Sequence, residues 1–124
     1  MTEVWKRSAT QLAQAIATGD LSSREVVQAH LDRIAAVNPK LNAIVQTLPE
    51  EALAAADAAD RAVASGAALG PLHGVPITVK INIDLKGSPS TWGVPALANA
   101  VAAQDAPLME RMRAAGAIPI ARTN

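Results

Sequence analysis

The chain has 124 residues, half of them hydrophobic, and eleven acidic residues balance eleven basic ones. This balance gives no electrostatic reason to expect nucleic-acid or membrane binding, and the absence of cysteine excludes disulfides, thiolate metal sites and cysteine nucleophiles. No signal peptide and no apolar run of the roughly 18 residues that span a bilayer is recognisable, so we expect a cytoplasmic protein.

Two helices are predicted at the start of the chain. Apolar residues at helical spacing predict the first over 10–18, ended by Gly19 in the left-handed conformation. Ser22 and Glu25 have the spacing of a capping box, in which each side chain accepts a hydrogen bond from the other residue's backbone N–H, and they predict the start of the second helix. Pro39 predicts its end, because the residue before a proline avoids the α region.

A short strand and an alanine-rich helix are predicted next. The strand covers part of residues 41–48, and Pro49 suits the first position of a third helix that ends near Gly66. Asp57 and Arg61 are spaced four residues apart, so we expect them to pair on the helix surface. Alanine buries little area, so this helix can approach a neighbour closely while gaining little hydrophobic free energy.

The following segment alternates strictly between aliphatic and polar residues. A period of two predicts a strand over 75–85 with two different faces. We then expect a loop over 87–95, a fourth helix with Asp105 as N-cap and Gly116 after its end, and a buried strand over 117–121. A strand, a crossover helix and a second strand form a βαβ unit with parallel pairing, so the expected fold class is α/β.

Lys80 lies in the middle of the alternating segment, on a polar face with Thr78, Asn82 and Asp84. One interpretation is a solvated face of a half-exposed strand, and the pattern alone favours it. The other is a lysine whose pKa is lowered by desolvation, so that its neutral amine acts as a base for a serine within reach. The nearby hydroxyls belong to Thr78, Ser88, Ser90 and Thr91.

Two histidines and one tryptophan are weaker candidates. We interpret His73 as a structural loop residue and His30 as a surface or packing residue, and Trp92 either lines a pocket or anchors its loop. The histidines are far apart and suggest no metal site, and the glycines are too scattered for a phosphate-binding loop. We therefore expect no metal and no cofactor.

A series of motifs resembles the amidase signature family, in order and over nearly the whole chain. Residues 70–80, Gly-Pro-Leu-His-Gly-Val-Pro-Ile-Thr-Val-Lys, resemble that family's G-P-L-x-G-[IV]-P-[IV]-x-[IV]-K motif. Because the motifs occur in the family's order, the resemblance favours Lys80 as a catalytic residue over the interpretation as a solvated strand face. The other matching segments are 20–23, 38–43, 82–87, 89–97, 105–117 and 121–124.

The resemblance implies the N-terminal part of a mixed-sheet α/β/α fold, with 1–124 as a single partial domain that is helical over 8–66 and strand–helix–strand over 75–122. It also implies cofactor-free hydrolysis of carboxylic amides by a Ser–cis-Ser–Lys triad that forms an acyl-enzyme. Only the lysine carries over, onto Lys80. The family's two serines belong beyond the final Thr-Asn motif, where this sequence stops, so we expect the chain alone to be inactive.

Three residues depart from the family's common pattern. Ile81 stands where many members have aspartate, Trp92 is bulky where small or polar residues are common, and Arg122 replaces the usual lysine. Ile81 changes the surroundings of Lys80 and leaves the match at Lys80 itself intact.

Two other functions stay open. Few large apolar side chains and an uncovered last strand suit a non-catalytic module that self-associates or docks on another chain. The parent protein is alternatively an amidotransferase subunit that works on aminoacyl-tRNA, although the Lys80-Ile81-Asn82 form favours a simple amidase. The expected partners are a small amide substrate for the full-length parent and either a homo-oligomer or a complementary C-terminal chain, with no nucleic acid and no membrane.

Overall fold

A computed structural model describes residues 3–124 as helices packed on a small sheet. The elements are α1 (Ala9–Thr18), α2 (Ser23–Leu41), β1 (Ile44–Thr47), α3 (Pro49–Ala64), β2 (Pro76–Lys80), α4 (Pro107–Ala114) and β3 (Ile118–Thr123). The sheet has three strands in the order β1-β3-β2, so that β3 is central. The α/β class is confirmed. No helix in this described part is both long and apolar enough to cross a bilayer.

The sheet is mixed because β3 pairs with one strand in each direction. It runs antiparallel to β1 and parallel to β2, as the βαβ pattern predicts. Ile77 faces Pro119 while Thr78 faces Ala121, so β3 contains one extra residue between these pairs. Such an irregularity bends a strand locally and re-aims the side chains that follow it.

The core is built mainly from aliphatic side chains and alanines. Ala52 and Ala56 of α3 are fully buried against Ile118 and Ile120 of β3. Their small size lets the helix lie close to the central strand, as the composition predicts. A separate apolar cluster joins α1 to the segment before β2, and a third joins α4 to the end of β2 through Met109 and Val79.

The predicted strand over 75–85 is too long. Strand β2 ends at Lys80, and the chain then turns, because the N–H of Ile83 donates to the Lys80 carbonyl at 3.0 Å. The alternation continues because the turn also places its aliphatic side chains inward, with Ile81 and Leu85 buried. The alternation of buried and exposed residues therefore extends beyond the residues that form the strand.

The predicted end of α2 at Pro39 is also wrong. The helix continues through Pro39 to Leu41, and the C-cap Asn42 adopts the left-handed conformation with φ 51°. The side chain of Asn38 offsets the cost of the helical pre-proline conformation. Its carbonyl oxygen accepts from the N–H groups of Ala43 and Ile44 at 3.0 and 2.8 Å, which closes the turn into β1.

The N-cap predicted for α4 is occupied by another residue. Ala106 is the N-cap and provides no side-chain cap. The carboxylate of Asp105 instead accepts from the backbone N–H of Lys86 at 2.8 Å and pairs with Arg113 at 2.7 Å. Asp105 thus ties α4 to the loop that follows Lys80.

The predicted surface pair within α3 is wrong, because tertiary contacts use the same carboxylate. Asp57 lies 2.7 Å from Arg24 of α2 and does not pair with Arg61. Asp60, one turn later, accepts from the backbone N–H groups of Ser23 and Arg24 at 2.6 and 3.1 Å. Free N–H groups at a helix N-terminus attract carboxylates, and this attraction binds α3 to α2.

Two capping boxes begin the first two helices. The predicted one is confirmed, since the Ser22 N–H donates to Glu25 at 2.8 Å and the Glu25 N–H donates to the Ser22 hydroxyl at 3.0 Å. The other, formed by Ser8 and Gln11, was not predicted. Ser8 and Gln11 are three residues apart, like Ser22 and Glu25, so the sequence did contain the pattern that predicts this capping box.

The joint between α4 and β3 requires glycine, which gives a test of the packing. Gly116 has φ 96°, and a Cβ there would lie 2.5 Å from the Cα of His73. Gly66 also has a positive φ, but its Cβ would meet open space.

We expect Gly66→Ala to lower the free energy of unfolding by about 1 kcal/mol and Gly116→Ala by about 2–4 kcal/mol, measured by urea denaturation. Equal losses would show that the joint is loosely packed.

The capping box on α2 predicts a dependence of stability on pH. The hydrogen bond from the Ser22 backbone N–H, followed by that with its hydroxyl, holds the pKa of Glu25 below its ordinary value of 4.5. A lowered carboxyl pKa adds stability above about pH 4.5 that is lost as the pH falls through the folded-state value. The unfolding free energy of the natural chain should therefore exceed that of Glu25→Gln by more at pH 6 than at pH 3. Because the side chain is exposed, the change should be no more than about 1 kcal/mol, and a pH-independent difference would contradict the prediction.

Candidate functional site

Lys80 is the last residue of β2, at the edge of the sheet. Its backbone is paired with Thr123 of β3, while its side chain is exposed. Within residues 3–124 its amine is in none of the salt bridges, and the one hydrogen bond between Lys80 and another side chain uses the Lys80 carbonyl. The amine is therefore free to meet a group from outside this part of the structure.

The polar residues that share the alternating segment with Lys80 differ in their surroundings. Thr78 and Asp84 are exposed, whereas Asn82 is half-buried. The side-chain oxygen of Asn82 is buried and has no hydrogen-bond partner in the described chain. A buried acceptor without a donor is rare in native structures.

Of the four hydroxyls near Lys80 in sequence, those of Ser88, Ser90 and Thr91 make hydrogen bonds elsewhere, whereas Thr78 is exposed. Ser88 and Ser90 are buried, the first bonded to Arg122 at 2.6 Å and the second donating to the Ile83 carbonyl at 3.4 Å. The Thr91 hydroxyl accepts from the N–H of Gly93 at 3.2 Å. The two serines nearest to Lys80 in the described sequence are therefore both engaged in hydrogen bonds to other groups.

Arg122 is the residue at this site that the sequence-based interpretation missed. Although charged, it is fully buried in β3, beside Val79 of β2. Burial lowers the pKa of its guanidinium, and the negative charge of Asp84 partly opposes this shift. The sequence contained a signal for this role. Arg122 directly follows the predicted buried strand over 117–121, and a charged residue that continues such a strand needs buried hydrogen-bond partners.

The guanidinium of Arg122 bonds to the segment that carries Lys80. Its Nη2 donates to the carbonyls of Lys80 and Ile83 at 3.1 and 2.6 Å. Its Nε donates to the Val79 carbonyl at 3.3 Å. Through Ser88, whose hydroxyl also reaches Gln46 at 3.3 Å, the network extends to β1. One side chain therefore connects all three strands.

The histidines have structural contacts, as the sequence-based interpretation has it. A ring nitrogen of His73 lies 2.9 Å from the Ala59 carbonyl, and one of His30 lies 2.7 Å from the Val26 carbonyl. Over residues 3–124 no three potential metal ligands come together. Trp92 is not a buried anchor: it is 65% exposed and has a positive φ of 55°.

Comparisons with known proteins agree on one family. The family model described as Amidase matches residues 25–124. An indoleacetamide hydrolase of Bradyrhizobium diazoefficiens is 53% identical over 98% of this chain and 23% of its own length. A glutamyl-tRNA(Gln) amidotransferase subunit of Salinispora arenicola is 44% identical over all of this chain and 25% of its own length.

A solved structure agrees in three dimensions. The native peptide amidase from Stenotrophomonas maltophilia has a TM-score of 0.88 and 35% identity over 96% of this chain and 25% of its own. The chain spans about a quarter of the length of these relatives. The collinear motifs around Lys80, the mixed sheet that carries them and the match to the family model lead to one conclusion: the chain belongs to the amidase signature family.

Proposed function

We propose that this chain acts as the N-terminal part of a longer hydrolase of carboxylic amides, with Lys80 as the general base of a Ser–cis-Ser–Lys triad. One observation carries the proposal: the amine of Lys80 is exposed and unpaired within residues 3–124, at the end of β2, inside the segment that matches the family. A surface lysine without a function has no need of this motif around it. The whole of 1–124 is then one partial domain.

The proposed chemistry begins with proton transfer away from a serine. The neutral amine of Lys80 takes a proton from a bridging serine, which takes one from the nucleophilic serine as its oxygen attacks the amide carbonyl. The C–N bond breaks as the bridging serine gives one proton to the leaving amine and regains one from Lys80, and an acyl-enzyme remains. Water attacks the ester by the reverse route and releases the acid. Both serines must come from outside this chain, because Ser88 and Ser90 are committed to structural bonds.

Exposed apolar side chains support a partner for the surface beside Lys80. Large apolar side chains of the following loop, among them Trp92, Val94 and Val101, are exposed. This apolar area is removed from water if further residues of the same protein, or a complementary chain, cover it. A cytoplasmic location stays a prediction.

A second candidate is the amidotransferase function. It is favoured by the 44% identity to a glutamyl-tRNA(Gln) amidotransferase subunit, which extends over all of this chain. The higher identity to an indoleacetamide hydrolase, 53%, favours the simple amidase and a small aryl-acetamide substrate. A non-catalytic docking module uses the same exposed apolar side chains but assigns no role to the amine of Lys80.

The 124-residue chain by itself should show no amide hydrolysis above a Lys80→Ala control. A base without a nucleophile cannot form an acyl-enzyme, and loss of triad members costs orders of magnitude in rate. Release of the chromophore from an aryl amide, with the purified chain at high concentration, measures this. Turnover that disappears in Lys80→Ala would contradict the prediction.

A chimera tests the positive part of the proposal. The matching quarter of the B. diazoefficiens indoleacetamide hydrolase is replaced by this complete chain, and hydrolysis of indoleacetamide is measured. We expect an active chimera in which Lys80→Ala lowers kcat about 1,000-fold, as expected for loss of a base on which the nucleophile depends. Lys86→Ala, at an exposed lysine of the adjoining loop, is the matched control and should leave kcat unchanged.

The outcomes separate the candidate functions. A folded chimera with equal activity in the Lys80→Ala and Lys86→Ala variants would overturn the role of Lys80. A folded but inactive chimera would favour the non-catalytic module. Activity restored only in the analogous chimera with the amidotransferase relative would favour the amidotransferase.

A further inference from the structure

Every hydrogen-bond donor of Arg122 is used within this chain. An arginine side chain has five N–H donors in one rigid plane. None is left to contact a substrate, and none of the acceptors is a carboxylate. The acceptors are the carbonyls of Val79 (3.3 Å), Lys80 (3.1 Å), Ile83 (2.6 Å) and Pro89 (3.2 Å) and the hydroxyl of Ser88 (2.6 Å).

Two of these acceptors flank the Cα atom of Lys80. The Val79 carbonyl belongs to the peptide group before Lys80, and the Lys80 carbonyl belongs to the peptide group after it. Nε and Nη2 of one planar group bind both. Because the spacing between these nitrogens cannot change, the two peptide planes are held at one relative orientation. That orientation sets the direction in which the Lys80 side chain leaves the backbone.

The remaining bonds hold the chain that follows Lys80. The Ile83 carbonyl closes the turn after β2, and Ser88 and Pro89 belong to the loop beyond it. If Arg122 only filled this space, an apolar side chain would serve as well as a cation. Burial of a charge bonded only to neutral groups costs free energy, and apolar side chains often fill such a volume with no loss of stability. The guanidinium supplies angular control of the peptide groups, which an apolar group lacks.

We propose that Arg122 is the positioning residue of Lys80: its guanidinium fixes the peptide groups on both sides of Lys80 and so aims the amine at the hydroxyl that it deprotonates. The inference rests on the proposed role of Lys80 as a base. Arg122 acts through Lys80 and touches no substrate.

Hydrogen exchange tests the positioning without any turnover. The Ile83 N–H, bonded to the Lys80 carbonyl, reports on the turn, and the Leu48 N–H, bonded to the Ile120 carbonyl, reports on the β1 side of the sheet. In the complete chain, Ser88→Ala and Arg122→Lys should speed exchange at Ile83 about tenfold or more and leave Leu48 nearly unchanged. Equal acceleration at both amides, or none at Ile83, would overturn the inference.

Kinetics of the indoleacetamide hydrolase chimera provide the second test. Arg122→Met should lower kcat about 100-fold with KM changed less than about twofold, because a misplaced base slows the chemical step and not substrate binding. Arg122→Lys should recover part of this loss. Arg113→Met removes the same group from an exposed ion pair with Asp105 and should leave kcat unchanged. Each kcat is calculated per folded molecule.

The two proposals fail in different ways. If Lys80→Ala leaves kcat unchanged, the base assignment fails, whatever the Arg122 variants do. If Lys80→Ala abolishes turnover while Arg122→Met and Arg122→Lys keep full kcat per folded molecule, only the positioning role fails. Ser88→Ala keeps the cation and removes one acceptor, so it should fold and lower kcat severalfold even where Arg122→Met does not accumulate. An unchanged kcat in folded Ser88→Ala would overturn the positioning role.

Discussion

The burial of one positive charge without a paired carboxylate is the constraint on which this structure depends. Arg122 occupies the central strand, and its guanidinium is satisfied only if β2, the turn after Lys80 and the loop at Ser88 all come to it. An unsatisfied buried cation would cost several kcal/mol. The irregular segments around Lys80 are therefore hydrogen-bonded to the central strand through Arg122, although few of their residues belong to regular structure.

Small residues provide the second requirement, which is close approach. The alanines of α3 let that helix lie directly on β3, and Gly116 lets the end of α4 meet the loop at His73. The carboxylates of Asp57 and Asp60 then hold α3 against the start of α2, a role that large apolar side chains have in other proteins. Polar contacts at helix ends compensate for a core with little aromatic area.

The position of Lys80 follows from both requirements. The packed sheet and the guanidinium hold its backbone, while its side chain lies exposed at an edge. A held backbone beneath a free amine suits the general-base role proposed for Lys80, because a proton is transferred only over a short and well-directed distance. Close to Lys80 in the sequence, Trp92 is exposed, and the buried side-chain oxygen of Asn82 has no hydrogen-bond donor among residues 3–124.

Local sequence determined the elements, the Ser22–Glu25 cap, the α/β class and the candidate lysine, because periodicity, caps and motifs depend on neighbours within a few residues. It failed at Pro39, Asp57 and Asp105, where a distant group or a side-chain bond outweighed the local preference. Only the tertiary structure decided that β2 stops at Lys80 and that Arg122 holds it. Those bonds join residues about forty positions apart, and no local pattern specifies which carbonyls a buried cation will meet.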